Sequence, residues 1–330
     1  MQKRTIIGII LLIFIPIYMS AGDRSAPEWM KYTIGARAMA LGQNFAAFAD
    51  DGTATFNSPG GLPNIFSEDS PGHKLWVSGT FAILPFDRMM GAFSTSFKIS
   101  KIVLGVSGLY TKGQNQINID RGAADNKKDD AWMAIISIAS NLSENQNISF
   151  GGNVKFFQDT SDNVKGTGFV FDFGTYIAVF NMISLGALVK NMGYIKYEGM
   201  DARFIAPTVS IGIGYNPLSR RNFAFCLHLE RDTGKNNGKF VGSGGLFVAI
   251  YSNEYMSESR KSNPIDETSA TQSKKTIYYN VIYLNFGFHG YEFSCGATFN
   301  FFGFKVDYAF VINTTGEYEY SHVFTLEKRF

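Results

Sequence analysis

Single charged residues stand within otherwise apolar stretches of this 330-residue chain. Lys305 and Asp307, for example, alternate with Phe304, Val306 and Tyr308. An unpaired charge in an apolar environment costs several kcal/mol, so each of these residues needs a partner. The residues placed in this way are Lys98, Lys155, Asp172, Lys190, His228, Glu230, Lys305 and Asp307. They either neutralise one another in a packed interior or bind the carboxylate of a ligand, and the sequence leaves both interpretations open.

Residue types that could carry catalysis are few and scattered. The four histidines do not cluster, and no Gly-x-Ser-x-Gly turn presents a serine nucleophile. The two cysteines, Cys226 and Cys295, have no histidine at metal-ligand spacing. We therefore expect no enzyme, no catalytic or metal-binding residue and no cofactor. The 30 Lys and Arg residues balance 28 Asp and Glu residues, so no basic excess points to nucleic acid.

The stretches that carry these charges alternate between two kinds of residue. In Val209–Tyr215, large apolar side chains share one face, and Ser210, Gly212 and Gly214 share the other. About fourteen such segments, each of roughly ten residues and ended by turn-forming residues, lie between residues 74 and 330. An even number of antiparallel strands can close into a barrel with both ends of the chain on one side.

The composition of the two faces indicates which of them meets lipid. Charged residues make up 18% of the chain, below the roughly 25% of an average soluble domain. A soluble β-sandwich would turn its apolar face inward and expose Lys, Glu or Thr, whereas here the second face is rich in Gly and Ser. We therefore favour an all-β fold, a transmembrane antiparallel β-barrel of about 14 strands over residues 74–330.

The first 22 residues have the features of a secretory signal peptide. Lys3 and Arg4 form a short positive region, Ile6–Ile17 is mostly apolar, and small residues follow at 20–22. A retained anchor is the alternative, but the apolar stretch is shorter than the roughly 20 residues that span a bilayer. We predict a cleaved signal peptide over residues 1–22 and a location in the outer membrane.

Long polar connections are predicted at 111–130, 192–206 and 251–276. Barrels keep their longer loops on the extracellular side, and the first two connections fall there if the barrel begins in the periplasm. The third, rich in Ser, Lys and Glu, falls on the periplasmic side. It is either a true periplasmic insertion or a sign that the strand count is wrong by one hairpin.

The last strand ends on an aromatic residue. Phe324, Leu326 and Phe330 share one face of the final amphipathic segment. This pattern resembles the C-terminal signal by which outer-membrane proteins are recognised for assembly. We therefore expect the assembly machinery to bind this strand.

Residues 30–64 lack the alternation of the later segments and are dominated by Gly and Ala. Small residues allow tight packing in a confined space, so we predict that this segment lies inside the barrel. Arg37, Asp50 and Asp51 would then be available to pair with inward charges of the wall. The domain boundaries that follow are a hatch or plug segment over residues 23–73 and a barrel over residues 74–330.

At this point the chain resembles the FadL/PorV-like group of outer-membrane proteins, which includes uncharacterised spirochaete members. That group shares Gly-Ala-Arg-Ala, Ala-Asp-Asp and Asn-Pro-Ala-Gly-Leu motifs, followed by a Lys-Asn-Leu-Gly turn. The corresponding stretches here are Gly35–Ala38, Ala49–Asp51, Asn57–Leu62, Lys190–Gly193 and Gly303–Phe310. The third motif departs from the family pattern at Ser58 and Gly60. The resemblance covers the mature chain.

The resemblance implies a fourteen-stranded barrel with an N-terminal hatch that gates the lumen. The hatch residues it implies are Gly35, Arg37, Asp50, Asp51, Asn57, Ser58 and Pro59. The first function it implies is a channel for hydrophobic or amphipathic small molecules of the long-chain fatty-acid type. The alternative is a PorV-like scaffold or cargo-handling barrel in protein export, which needs only an exposed rim such as residues 251–276. The expected partners are membrane lipid, a hydrophobic small molecule and the assembly machinery.

Overall fold

The computed structural model describes the chain from residue 26 onward. The predicted signal peptide, residues 1–22, lies outside the described residues. Those described are 26–43, 45–66, 74–85, 88–115, 127–142, 147–161, 164–179, 182–216, 223–234, 240–259, 273–301, 303–314 and 319–330.

The described residues form fifteen strands after a short helical region. The helical region has two 3₁₀ turns, Glu28–Lys31 and Pro59–Phe66, and two short helices, α1 (Ala36–Ala40) and α2 (Ala54–Asn57). The strands are β1 Leu75–Leu84, β2 Arg88–Ile99, β3 Ile102–Asn115, β4 Lys127–Asn141, β5 Ile148–Ser161, β6 Val164–Val179, β7 Ile183–Tyr197, β8 Arg203–Ile205, β9 Thr208–Tyr215, β10 Phe223–Asp232, β11 Phe240–Ser259, β12 Ser273–His289, β13 Glu292–Phe301, β14 Phe304–Asn313 and β15 Glu319–Arg329.

Fourteen of these strands close into a ring. Each strand from β1 to β7 pairs antiparallel with the next, β7 pairs with β9, and β9 to β15 continue the ladder. β1 then pairs with β15, from Trp76 opposite Arg329 to Ile83 opposite His322. The short β8 pairs with β7 beyond the end of β9. The prediction of a closed antiparallel barrel of about 14 strands is confirmed.

The two faces of the wall differ as the alternation predicts. In β1, Phe81 is 47% exposed on the outside, whereas Ser78, Thr80 and Ala82 are buried on the inside. An outer belt of exposed aromatic and aliphatic residues with small or polar residues inside is the arrangement of a membrane-spanning barrel. Among the described helices, none has the length and apolarity needed to cross a bilayer.

The strands extend into all three predicted connections. β3 continues to Asn115, β4 begins at Lys127, and β7 continues to Tyr197. β11 and β12 continue as a paired hairpin as far as Ser259 opposite Ser273. Polar residues are compatible with strand structure outside the hydrocarbon layer, so polarity marked where the membrane ends and not where the strands end.

The stretch that resembles a Lys-Asn-Leu-Gly turn is instead a β-bulge within β7. Phe171 of β6 lies opposite Met192 while Phe173 lies opposite Val189, so Lys190 and Asn191 together face a single residue of β6. Asn191 adopts a φ of 61°, in the left-handed region that Asn tolerates better than most residues. The extra residue changes the parity of β7, and its inward positions are even-numbered before the bulge and odd-numbered after it.

The positions of the two cysteines generate a test of this wall. Cys226 is buried on β10 and Cys295 is exposed on β13, and both thiols are free. Three strand spacings of about 4.8 Å separate them by roughly 14 Å, whereas a disulfide needs Cα atoms within about 7 Å. We expect mass spectrometry of unreduced, denatured protein to find both thiols alkylated. An intramolecular Cys226–Cys295 bridge would contradict both the strand order and the facing.

Candidate functional site

Residues 26–66, here called the N-terminal segment, run through the ring from one end to the other. Near its start, Trp29 Nε1 donates to Asp159 Oδ2 at 3.3 Å, close to the turn between β5 and β6. At its end, Phe66 O accepts from Lys98 Nζ at 3.2 Å. Lys98 lies at the opposite rim, where Phe330 pairs with Leu75. The segment thus contacts the interior over the full height of the wall.

Wall glycines make room for this segment. A Cβ atom at Gly186 would lie 2.0 Å from Ala46 O, and one at Gly151 would lie 2.2 Å from Pro59 O. A Cβ atom at Gly287 would lie 2.1 Å from Gly42 N. No side chain tolerates such distances, so the segment backbone and the wall backbone are in direct contact on several strands.

Inward hydroxyl groups of the wall satisfy carbonyl groups of the segment. Ser94, Ser149, Ser184 and Ser294, on four different strands, each donate to a segment carbonyl. The accepting oxygens are those of Gly52, Gly60, Ala47 and Ala40, at 2.6–3.0 Å. These bonds matter because a buried backbone carbonyl without a partner costs about 1–3 kcal/mol.

Four of the predicted hatch residues contribute to the shape or the buried core of the segment itself. Gly35 has a φ of 106°, and a Cβ atom there would lie 2.6 Å from the Thr53 side chain. The Asn57 side-chain amide makes two hydrogen bonds with Ile34. Its oxygen accepts from the Ile34 N–H, and its nitrogen donates to the Ile34 carbonyl. Ser58 and Pro59 are buried where α2 passes into the second 3₁₀ turn. The contacts of Gly35 and Asn57 hold the two halves of the segment together.

The other three predicted hatch residues belong to a charge cluster between the segment and the wall, here called the Lys305 cluster. Its members are Arg37, Asp50 and Asp51 of the segment and Lys305, Asp307 and Glu327 of the wall. Lys305 Nζ lies 3.4 Å from Asp51 Oδ2, 3.2 Å from Asp307 Oδ2 and 3.6 Å from Glu327 Oε1. One ammonium group therefore serves three buried carboxylates.

Arg37 completes the segment side of this cluster. Its guanidinium pairs with Asp50 and lies over the Phe247 ring, 5.4 Å from the centroid. Burial alone would lower the pKa of Arg37, but the charges of Asp50 and Asp51 outweigh it and raise that pKa. Arg37 therefore remains a cation inside the ring.

A second buried charge cluster, here called the Lys155 cluster, fixes the bulge in β7. Lys155 Nζ lies 2.7 Å from Asp172 Oδ2 and donates to Asn191 Oδ1 at 3.1 Å. Asp172 also accepts from the Asn191 N–H and from Asn153 Nδ2, which in turn reaches Thr55 O of the segment. The Asp172 carboxylate, which lies opposite the bulge, is thus held by three donor groups.

The remaining predicted inward charges lie on the other side of the ring. His228 is buried on β10, and its Nε2 lies 3.8 Å from Glu230 Oε2. Lys190 is half-buried on β7 opposite Thr208. Nearby, Lys31 of the segment lies 3.3 Å from Asp232, and Gln43 Nε2 donates to Glu292 at 2.6 Å. Polar side chains therefore line this side of the interior on β7, β10 and β13.

At the end of the ring farther from Phe330, the interior is apolar on the side opposite these polar residues. Trp29 and Met30 fill it, and the Trp29 ring meets Phe157 edge-on at 5.8 Å between centroids. The inward wall residues of this apolar cluster are Leu84, Met90, Leu109, Ala131, Met133, Ile135, Phe157, Val170, Ile195, Ile205, Val311 and Val323. An apolar wall and a polar wall therefore face each other across the start of the segment.

Sequence reasoning missed three residues that the site depends on. Glu327 shares the inward face of β15 with Ser321 and Thr325, so the same parity that selected Lys305 would have found it. Trp29 lies one residue before the stretch singled out for its small residues, and its size gave no signal for an interior position. Trp76, whose Nε1 donates to Glu327 at 2.9 Å, was likewise not selected.

The C-terminal residues of the predicted assembly signal face outward. Phe324, Leu326 and Phe330 are each about half exposed, at 46%, 52% and 56%. They form part of the outer apolar belt, and Phe330 closes the ladder against Leu75. Recognition by an assembly machinery stays a prediction.

Fold and interior together define a class, a closed fourteen-stranded barrel whose lumen is occupied by its own N-terminal segment. No family model and no curated protein matches the chain. Among solved structures, the CymD monoaromatic hydrocarbon channel matches with a TM-score of 0.60 and 12% identity, over 90% of this chain and 97% of that one.

Two further solved structures have the same architecture. The toluene transporter TodX of P. putida matches with a TM-score of 0.58 and 10% identity, over 90% of this chain and 98% of its own. A FadL homologue of Pseudomonas aeruginosa matches with a TM-score of 0.56 and 10% identity, over 94% and 99%. The chain therefore has the fold of FadL-like channels, and none of the three structures is described as an enzyme.

The Lys155 cluster generates a stability prediction. Replacing Lys155 by Met leaves the Asp172 carboxylate buried without its cation, so we expect a loss of about 3–5 kcal/mol in the free energy of unfolding. The measurement is urea unfolding of the protein folded in lipid vesicles. Lys196→Met is the matched control, because Lys196 is exposed on the same strand as the bulge, and its loss is expected to be below about 1 kcal/mol. Equal losses in both variants would contradict the assigned role.

Proposed function

We propose that this protein is an outer-membrane channel for hydrophobic or amphipathic small molecules, gated by its N-terminal segment. The observation that carries the proposal is the apolar interior surface around Trp29 and Met30, faced by a polar row on the opposite wall. A molecule with an apolar body and a hydrogen-bonding head matches both surfaces, since ligand sites combine an apolar lining with a few placed polar groups. A long-chain fatty acid has this character.

The N-terminal segment is the natural gate in this proposal. It occupies the lumen from rim to rim, so a solute can pass only if part of the segment moves. Its first 3₁₀ turn is only four residues long. Trp29 and Met30 of this turn pack against the wall, Trp29 also donates to Asp159, and Lys31 pairs with Asp232. The contacts of this turn are made by side chains, whereas the later part of the segment lies with its backbone against wall glycines, and this difference favours the first turn as the end that moves.

The similar solved structures support the channel proposal without identifying the solute of this chain. CymD is described as a monoaromatic hydrocarbon channel and TodX as a toluene transporter. Both descriptions concern apolar molecules. The polar row of His228, Glu230 and Lys190 in this chain favours a solute that also carries a polar group.

Two partners are proposed on the same grounds. Membrane lipid surrounds the outer belt, because exposed side chains such as Phe93, Ile136 and Phe299 would otherwise meet water. The outward aromatic residues of β15 are proposed to bind the outer-membrane assembly machinery.

The channel proposal predicts that Trp29→Ala increases uptake. Loss of the indole vacates apolar volume at the entrance and removes the bond to Asp159, so we expect entry of a labelled long-chain fatty acid to accelerate severalfold. The measurement is uptake by cells whose own channels for hydrophobic compounds have been deleted. Tyr291→Ala is the matched control, because Tyr291 is an exposed aromatic at the same rim. Uptake no faster than in cells without the protein, for wild type and variant alike, would exclude the channel.

A scaffold role in protein export is the second candidate, and the hairpin of β11 and β12 favours it. The ladder between β10 and β11 ends at Phe223 opposite Val248, and that between β12 and β13 ends at Ile282 opposite Phe299. Beyond these pairs, residues 251–259 and 273–281 pair with each other, on the side of the ring where Phe330 lies. The described strands leave both outer edges of this hairpin open, and an open edge can accept a strand from a partner.

The scaffold role predicts that shortening the hairpin changes secretion and not uptake. A variant that joins Asn253 to Tyr279 through an Asn-Gly turn keeps the ring and removes the projecting part. Quantitative mass spectrometry of proteins released by the producing bacterium would then show loss of specific exported proteins. Unchanged secretion would leave the hairpin without a scaffold function.

A further inference from the structure

The seam between the N-terminal segment and the wall has an unusual charge arrangement at the Lys305 cluster. The segment contributes one cation, Arg37, and two carboxylates, Asp50 and Asp51. The wall contributes one cation, Lys305, and two carboxylates, Asp307 and Glu327. With every group ionised, each side of the seam carries one more negative than positive charge. The segment and the wall therefore meet in the buried interior although both carry a net negative charge at this seam.

Neutral groups orient the carboxylates but do not neutralise them. Asp51 Oδ1 accepts from the Thr53 N–H and hydroxyl at 2.9 and 2.6 Å, and Asp307 accepts from the Thr298 hydroxyl. Glu327 Oε2 accepts from Trp76 Nε1 and, at 3.4 Å, from the Gly52 N–H. These bonds fix each oxygen in place, so the carboxylates converge on the Lys305 ammonium group.

We propose that Lys305 is the latch that holds the N-terminal segment against β14 and β15. Its ammonium nitrogen donates to Asp51 Oδ2 of the segment and lies within ion-pair distance of Asp307 and Glu327 of the wall, so it bridges two surfaces that would otherwise repel. The inference rests on the proposed function, since a latch has a role only if the segment moves. It assigns the ionic attachment of the segment to β14 and β15 to a single side chain, in the half of the ring nearer Phe330 and away from the entrance at Trp29.

Removal of Lys305 and removal of a wall carboxylate are expected to have opposite effects on how tightly the segment is held. Removing Lys305 leaves Asp51 facing two carboxylates without their shared cation, which frees the segment. Removing a wall carboxylate instead lowers the repulsion across the seam. Glu327→Gln retains an oxygen that can accept from Trp76 Nε1 and the Gly52 N–H, so it keeps the geometry while changing the charge.

The test is hydrogen–deuterium exchange of the full chain in lipid nanodiscs, followed by mass spectrometry of peptides that cover residues 45–66. In Lys305→Met we expect backbone exchange in these peptides to become at least about tenfold faster. In Glu327→Gln we expect exchange equal to or slower than in the wild type. Asp51→Asn leaves the wall unchanged, and it is the substitute test if Lys305→Met does not assemble. Asn removes one of the repelling charges, but it also removes the ionic contact that ties the segment to Lys305, and we expect that loss to outweigh the relief of repulsion, so exchange should again be faster than in the wild type.

The outcomes separate the latch from the alternatives. Unchanged exchange in Lys305→Met, or slower exchange in Asp51→Asn, would overturn the proposal. Equal acceleration in all three variants would also overturn it, because general loosening of a packed interior would then explain the result. Uptake of the labelled fatty acid is measured on the same variants. If exchange accelerates as expected while uptake stays at the level of cells without the protein, the latch stands and the channel proposal fails.

Discussion

Closure of the antiparallel ladder is the constraint on which the rest of this structure depends. Hydrocarbon offers no partner to a backbone N–H or carbonyl, so a sheet can cross a membrane only when it has no open edge. Pairing of β1 with β15 provides this closure, and the last residue continues it through the bonds between Phe330 and Leu75. With the ring closed, the outer side chains are free to be large and apolar, and the inner ones can be small, polar or charged.

A ring of fourteen strands is too wide for its own side chains to fill. Eight strands enclose an interior that side chains can pack, whereas sixteen or more leave an aqueous channel. Here the additional space is occupied by the N-terminal segment, and the glycines of the wall let the two backbones approach closely. The segment that fills the lumen also brings Asp51 into contact with Lys305, so the same residues fill the interior and make the ionic contact with the wall.

The interior differs along its height in ways that bear on transport. At the entrance the segment is held by the apolar contacts of Trp29 and Met30, while lower down it is held by ions and by the backbone contacts at the wall glycines. Such a gradient suits the proposed gate, which would open progressively from the apolar end. The bulge at Asp172 contributes by changing the parity of β7, which turns Ile195 inward to join the apolar cluster. A strand without the bulge would present Tyr194 at that height instead.

Local patterns in the sequence were sufficient for the strands, the number in the ring and the sense of the two faces. Period-two alternation depends only on neighbouring residues, so Phe304, Val306 and Tyr308 could be placed outside, and Lys305 and Asp307 inside, without knowledge of any partner. Polarity was a poor guide to strand ends, because strands β3, β7 and β11 continue as regular structure beyond the membrane. The bulge at Lys190 and Asn191 was also hidden, since an inserted residue leaves the local composition unchanged.

Which charges meet was decided by tertiary structure. Lys305 and Glu327 lie opposite each other in the β14–β15 hairpin, so their contact follows once the register of that hairpin is known. Asp51 is separated from Lys305 by 254 positions, and only the path of the N-terminal segment through the ring brings the two together. Outside the bulged strand β7, the sequence by itself determined which strand residues face the lumen, because facing is a local property of a regular strand. The ring and its contents decided which of them form a site, because such contacts depend on the register and packing of distant segments.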